Sequence, residues 1–346
     1  MSLVDVHTEW DPLEEIVVGT MAGARVPVPD RSLIATEYTD IDDPQDIPSG
    51  PYPGHVVEQT EAELEELSDL LTGLGVTVRR PGGRDHKSTV STPDWSTDGF
   101  YDYCPRDGFL TVNSSIIETP MVLRSRFLEG FAYKELFLEY LESGARWLSA
   151  PKPQLTDAMY EPTAPPGERL RNLEPAFDAA NVLRFGTDLL YQVSDSGNLL
   201  GARWLQAAVG DQYTVHPCEG LYTSTHIDST IVPLRPGLML VNPSRVNERN
   251  LPAFLRGWDR IVCPELTDTG YVGDHPRSSV WIGMNFLVIA PGKAIVDKRQ
   301  TVLIRELERH GVEVIPAQLT HSRTLGGGFH CVTLDVRRRG ELATYR

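Results

Sequence analysis

Cysteine is scarce in this chain: Cys104, Cys218, Cys263 and Cys331 stand far apart among 346 residues. Such spacing builds no disulfide framework, so reduced thiols are expected. No apolar run approaches the roughly 20 residues that cross a bilayer, which argues against a membrane protein. The stretch Met1 to His7 has neither the basic leader nor the apolar core of a signal peptide, so a cytoplasmic location is expected. Basic charge is also short. Lys and Arg number 32 against 48 Asp and Glu, a formal net charge of -16, and nucleic acid, whose phosphates call for a basic face, is not an expected partner. A cationic small molecule suits that balance better, although acidity also serves solubility alone.

Cofactor signatures are missing as well. No glycine-rich dinucleotide loop or phosphate loop follows any strand-like run, which weakens a nucleotide-binding open sheet. His216-x-Cys218 and His330-Cys331 hold metal-ligand types without the spacing of a zinc site. Neither a cofactor nor a metal is expected.

What is present is the composition of a soluble globular protein, 40% hydrophobic and 23% charged. At 346 residues the chain outgrows one ordinary core, so either two domains or a repeat is expected. A repeat is visible. Five helix-like segments run into short strand-like segments closed by Pro81, Pro151, Pro217, Pro264 and Pro316. In the clearest two, Glu61 to Leu74 leads through Gly75 into Val76 to Arg80, and Thr301 to His310 leads through Gly311 into Val312 to Ile315. Weaker copies are Glu135 to Ser143, Ala202 to Val209 and Leu251 to Trp258.

Ahead of the helices stand β-rich runs: Glu15 to Gly19, Phe109 to Val112, Leu189 to Val193, Leu238 to Val241 and Phe286 to Ile289. Five strand-helix-strand units around one axis make an α/β fold of radial blades, a five-bladed pseudo-fivefold propeller, with residues 1–346 as a single domain. A doubly wound sheet is the structural alternative. The Pro- and Asp-rich connections Asp40 to Pro53 and Pro151 to Pro166 read as surface excursions able to line an opening.

Asp178, His226 and Cys331 each sit where a β-rich segment begins. In a radial fold equivalent strand starts converge, which would gather an acid, an imidazole and a thiol. A thiol attacks as thiolate, an imidazole manages its proton, and a carboxylate orients the imidazole. Each residue also has a plainer role: Cys331 as a small buried hydrophobe, His226 as a core histidine, Asp178 as a turn group. The glycines Gly326-Gly327-Gly328 before Cys331 allow either close approach of a ligand or a sharp turn. Strand alternation would put Asp228 on the same face as His226. Asp107, ahead of another run, is a further acid that could reach the axis or merely shape a loop, and paired carboxylates suit the fork of a guanidinium.

These motifs resemble those of amidinotransferases, enzymes of the pentein superfamily that act on guanidino groups. The resemblance lies in Cys104-Pro105-Arg106-Asp107, Pro120 to Phe127, Phe177-Asp178-Ala179-Ala180-Asn181, His226-Ile227-Asp228, Asn242-Pro243-Ser244-Arg245, His275 to Ser279 and Gly326 to Cys331, and so covers most of the chain. It implies a five-bladed α/β propeller and an amidino-cysteine intermediate on Cys331, with His226 as general acid and then base and Asp178 as its partner. It also implies guanidinium binding by Asp107 and Asp228, and anchoring of the donor's α-carboxylate by Arg245 and Ser279.

The implied reaction moves the amidino group of L-arginine to an aminocyclitol phosphate, scyllo-inosamine 4-phosphate, and releases ornithine, as in streptomycin and other aminoglycoside antibiotic biosynthesis. Glycine amidino transfer and arginine-deiminase-like hydrolysis are the alternatives. Thr223-Ser224-Thr225 departs from the Asn-Pro-Met run of glycine-using relatives, and smaller side chains admit a bulkier acceptor. Arg277 is the candidate for the acceptor's phosphate, or else a surface arginine. Expected partners are L-arginine, the phosphorylated acceptor and a second copy in a homodimer.

Overall fold

In the computed structural model, which describes residues 2–41 and 43–346, the repeat becomes five three-stranded sheets of one design. An inner strand pairs antiparallel with a central strand, and the central strand pairs parallel with an outer one. Such a parallel pair needs a crossover, and the helix-like segments supply it.

The second blade joins Phe109–Val112, Ser115–Glu118 and Arg146–Ser149. The third joins Val182–Phe185, Asp188–Gln192 and Thr214–Cys218, and the fourth Ile231–Arg235, Leu238–Val241 and Asp259–Val262. The fifth joins Leu287–Ala290, Lys293–Asp297 and Glu313–Ala317. In the first blade Leu13–Val18 is central, Thr77–Arg79 is outer, and the inner strand is Thr333–Arg338 from the far end of the sequence, with Ile16 opposite Asp335.

Each unit thus carries one strand more than expected. Short hairpins hide it, because inner and central strands buried on both faces read as continuous apolar runs with no alternation to separate them. Glu15 to Gly19, Leu189 to Val193 and Leu238 to Val241 mark central strands, whereas Phe109 to Val112 and Phe286 to Ile289 mark inner ones.

The helices Gly54–Gly73, Lys134–Glu142, Leu199–Val209 and Thr301–Arg309 connect central to outer strands. In the last, Leu303 and Leu307 lie one turn apart and are both buried. Between the strands of the fourth blade only a short turn, Ala253–Leu255, forms where Leu251 to Trp258 suggested a helix. Pro252 and Gly257 leave too few residues to propagate one. Pro217 and Pro316 lie inside outer strands instead of closing them, which an edge strand tolerates. No described helix is long and apolar enough to cross a membrane.

The inner strands meet around buried charge. Arg184 of the third blade donates to Glu9 at 2.8 Å, to Asp335 of the first at 2.8 Å and to the carbonyl of Thr111 of the second at 3.0 Å. Arg338 donates to Asp335 at 2.6 Å and to the carbonyl of Val288 of the fifth at 2.9 Å. Arg184, Asp335 and Arg338 are no more than 1% exposed. Buried charges persist only when paired, so this network fixes how the blades stand against one another.

Candidate active site

At the starts of the inner strands, short loops bring polar residues to one end of the axis. Asp107 lies in the short helix Pro105–Gly108, opened by a proline at its first position, immediately before Phe109–Val112. Asp178 precedes the turn Ala179–Asn181 that enters Val182–Phe185. His226 and Asp228 precede Ile231–Arg235, Asn285 precedes Leu287–Ala290, and Cys331 precedes Thr333–Arg338.

His226 and Asp228 do not share a strand face as expected. They belong to the loop ahead of the strand, and His226 takes the left-handed region at φ 57°, a conformation uncommon outside glycine. Both nonetheless line the same cavity, of ≈ 390 Å³, together with Asp107, Arg245, Arg277, Ser279, Asn285 and Cys331.

The glycine run serves packing and a turn, and Gly326 also lines the cavity. Gly326, at φ 81°, ends the helix Ser322–Leu325 in the left-handed region. A Cβ on Gly327 would lie 2.5 Å from Cys104 Sγ, and one on Gly328 would lie 2.6 Å from the carbonyl oxygen of Asn285. The close approach these glycines permit is therefore to neighbouring blades.

His226 Nε2 is 3.1 Å from Asp178 Oδ2, and its Nδ1 is 3.6 Å from Asp107 Oδ1. Burial disfavours its charge, but Asp107 and Asp178 outweigh burial and hold the imidazole pKa well above its ordinary value. Cys331 Sγ is 3.1 Å from Asp228 Oδ2. A hydrogen bond with Cys104, burial and the charge of Asp228 push the thiol well up, while His226 pulls it down. Asp228 itself, against the cost of burial, is drawn down to about 2 by His330 and His226. Burial raises Asp107 despite His226 and Arg126, the latter 2.6 Å away.

Asp107, His226 and Cys331 present atoms within 4.8 Å of one another, the arrangement of donor types a metal could use. Each is also engaged by a neighbour: Asp107 by Arg126, His226 by Asp178 and Cys331 by Asp228.

Arg245 stacks on Tyr222 at 3.5 Å and donates to the carbonyl and hydroxyl of Ser229 and to Thr230. Among the described residues it has no carboxylate at ion-pair distance, which leaves its charge available to an anionic group. Ser279 caps a short turn through Trp281 N–H and faces the cavity. Ser224 and Thr225 line the cavity, and Thr223 does not. Arg277 is not a surface arginine: its side chain is only 4% exposed, 2.7 Å from Glu37 and 4.2 Å above the ring of Phe100.

Of the connections expected to line an opening, Asp40 to Pro53 does so, with Asp40 on this cavity and Asp46 and Pro48 to Pro53 on an adjoining one of ≈ 220 Å³ that shares Arg277, whereas Pro151 to Pro166 lines neither. Sequence reasoning missed Asn285, Glu37 and His330. Asn285 had a signal, because it stands immediately before the apolar run Phe286 to Ile289, much as Asp107 stands two residues before Phe109.

No protein-family model matches the chain. It is 70% identical, over the full length of both proteins, to "Inosamine-phosphate amidinotransferase 1" of Streptomyces glaucescens. The chain belongs to the amidinotransferase family. It is therefore an enzyme. Within the family, the solved inosamine-phosphate amidinotransferase of Streptomyces griseus matches this fold with a TM-score of 0.99 at 69% identity, covering 100% of this chain and 99% of that one. A more distant amidinotransferase, the L-arginine:L-lysine enzyme of Pseudomonas savastanoi pv. phaseolicola, is 37% identical over 98% of this chain and 95% of its own. The pentein-type α/β fold, built here of five three-stranded sheets, is thus shared with that solved amidinotransferase along the whole chain.

Proposed function

We propose that this amidinotransferase transfers the amidino group of L-arginine to an aminocyclitol phosphate, scyllo-inosamine 4-phosphate, in streptomycin-type antibiotic biosynthesis. The carrying observation is the thiol of Cys331, set in one cavity with a doubly partnered imidazole and with Asp107 and Asp228. High identity to inosamine-phosphate amidinotransferases supports the acceptor.

Asp107 and Asp228 orient the guanidinium, and Arg245 and Ser279 hold the α-carboxylate. The bound cation offsets the carboxylate charge that keeps the thiol protonated, so the thiol releases its proton to solvent and the thiolate forms beside the imidazolium of His226. Cys331 Sγ attacks the guanidino carbon, the C–N bond to ornithine breaks, and His226, oriented by Asp178, protonates the leaving amine. The neutral imidazole then takes a proton from the acceptor amine as it attacks the amidino-cysteine, and the tetrahedral centre collapses with sulfur as leaving group.

Arg277 is the phosphate anchor in this reading, and phosphate would exchange with Glu37 for its guanidinium. Residues 1–346 act as one amidinotransferase domain, in the cytoplasm and as a homodimer, which light scattering tests.

Incubation with arginine and a panel of amines tests the function. Ornithine and an amidinated inosamine phosphate are expected. Citrulline formed without any acceptor would instead mean hydrolysis, and preferred glycine would mean the wrong acceptor.

A further inference from the structure

Asn285 is 2% exposed and makes a set of contacts that leaves its amide only one orientation. Its Oδ1 accepts from the backbone N–H of His330 at 3.1 Å and from that of Cys331 at 3.1 Å. Turning the amide over would set an NH₂ group against two N–H donors, so the oxygen must face the backbone. The amide nitrogen then faces the sulfur, and Nδ2 donates to Cys331 Sγ at 3.0 Å. The backbone of the nucleophile's own loop thus aims the donor at the nucleophile.

The other groups around that sulfur make such a donor useful. Asp228 lies 3.1 Å away, Asp107 is close by, and the Cys104 side chain hydrogen-bonds the thiol. The two carboxylates oppose a negative sulfur, the Cys104 thiol bonds to its protonated form, and His226 acts in the opposite direction. Asn285 is a neutral donor that neither titrates nor leaves with substrate.

We propose that Asn285 is a further catalytic residue, whose amide N–H stabilises the Cys331 thiolate as it attacks and again as it departs. The assignment rests on Cys331 being the nucleophile. During attack the sulfur lone pair forms the S–C bond and the hydrogen bond weakens. When the second tetrahedral centre collapses, the S–C electron pair returns to sulfur, which accepts the N–H again. Asn285 therefore serves both half-reactions without exchanging a proton.

Asn285→Asp tests this with little structural change, because one carboxylate oxygen keeps both backbone contacts while the other turns an acceptor toward the sulfur. The readout is alkylation of Cys331 by iodoacetamide across pH, followed by mass spectrometry on the full chain without arginine. The expected result is at least about a tenfold slower reaction at neutral pH and a midpoint about one pH unit higher. Asn285→Ala should move both in the same direction by less. Profiles that superimpose on the unsubstituted protein's in either well-folded variant would overturn the proposal.

Should neither variant fold, the unsubstituted protein decides. The side-chain amide signals of Asn285 in an NMR titration should move with the alkylation midpoint, and signals indifferent to it would equally overturn the proposal. Because alkylation needs no arginine, its outcome is separate from that of the amidino-transfer assay. Normal Asn285 behaviour with no ornithine release would sink only the functional reading.

Discussion

Cys331 Sγ and Asp228 Oδ2 lie 3.1 Å apart, and His330 Nδ1 bonds the same carboxylate oxygen at 3.2 Å. The carboxylate stays ionised, with a pKa drawn down to about 2. A permanent negative charge beside a thiol makes a poor host for thiolate and a good one for guanidinium. In the proposed mechanism the thiol is therefore activated only when a cation arrives.

Cys331→Ser should abolish transfer while arginine still binds, because a hydroxyl is far less ionised than a thiol near neutral pH. The expected loss of kcat is roughly ten-thousand-fold or more. Calorimetry of arginine binding and ornithine release read the two properties separately, and retained turnover would remove Cys331 from the mechanism.

Asp178→Asn should slow both half-reactions by about a hundredfold to ten-thousandfold by loosening His226. The sign of its pH effect also follows. Asp178 is one of the groups that raise the imidazole pKa, so removing its charge should shift the corresponding limb of the rate profile to lower pH. Kinetics that change only in acceptor affinity would contradict the role.

Arg245→Gln should raise KM for arginine by about tenfold to a hundredfold, from loss of a charge-assisted contact, with kcat less affected. The same substitution should matter little for a donor guanidine that lacks the carboxylate. Equal losses for both donors would show that Arg245 only braces the loop through Ser229.

Acid should loosen the axis. Burial opposes the charged forms of Glu9 and Asp335, but Arg184 for the one, and Arg106 and Arg184 for the other, hold them below their ordinary values of 4.5 and 3.8. The stability they contribute is fully present above those values and is lost as pH falls below them through the depressed folded values. Asp335→Asn should cost on the order of 3–5 kcal/mol at neutral pH, because it strands buried arginines. Thermal melts from pH 7 down to pH 3 check both, and a melting temperature flat across that range would argue against the network.

Much of this was legible in the sequence because repetition and chemistry pointed the same way. The apolar runs and the glycine-capped helices gave five units, and Asp178, His226 and Cys331 fell at corresponding starts. Three things escaped. The hairpins hid a strand per unit, since Phe109–Val112 and Ser115–Glu118 are separated by only two residues. The burial of Arg277 against Glu37 depends on a contact across 240 positions. Asn285 lacked the titratable chemistry that draws attention to a histidine or an aspartate, although its position matched.

Leu13–Val18 cannot complete its sheet until Thr333–Arg338 has been made, a pairing that spans nearly the entire sequence. On a ribosome, every acid and the imidazole of the site are synthesised before the thiol, and the ring stays open until the last strand docks. Such distant pairing slows folding. On the proposed mechanism it also keeps the sulfur of Cys331 from meeting its partners in a half-built chain, so assembly and chemical competence arrive in the same event.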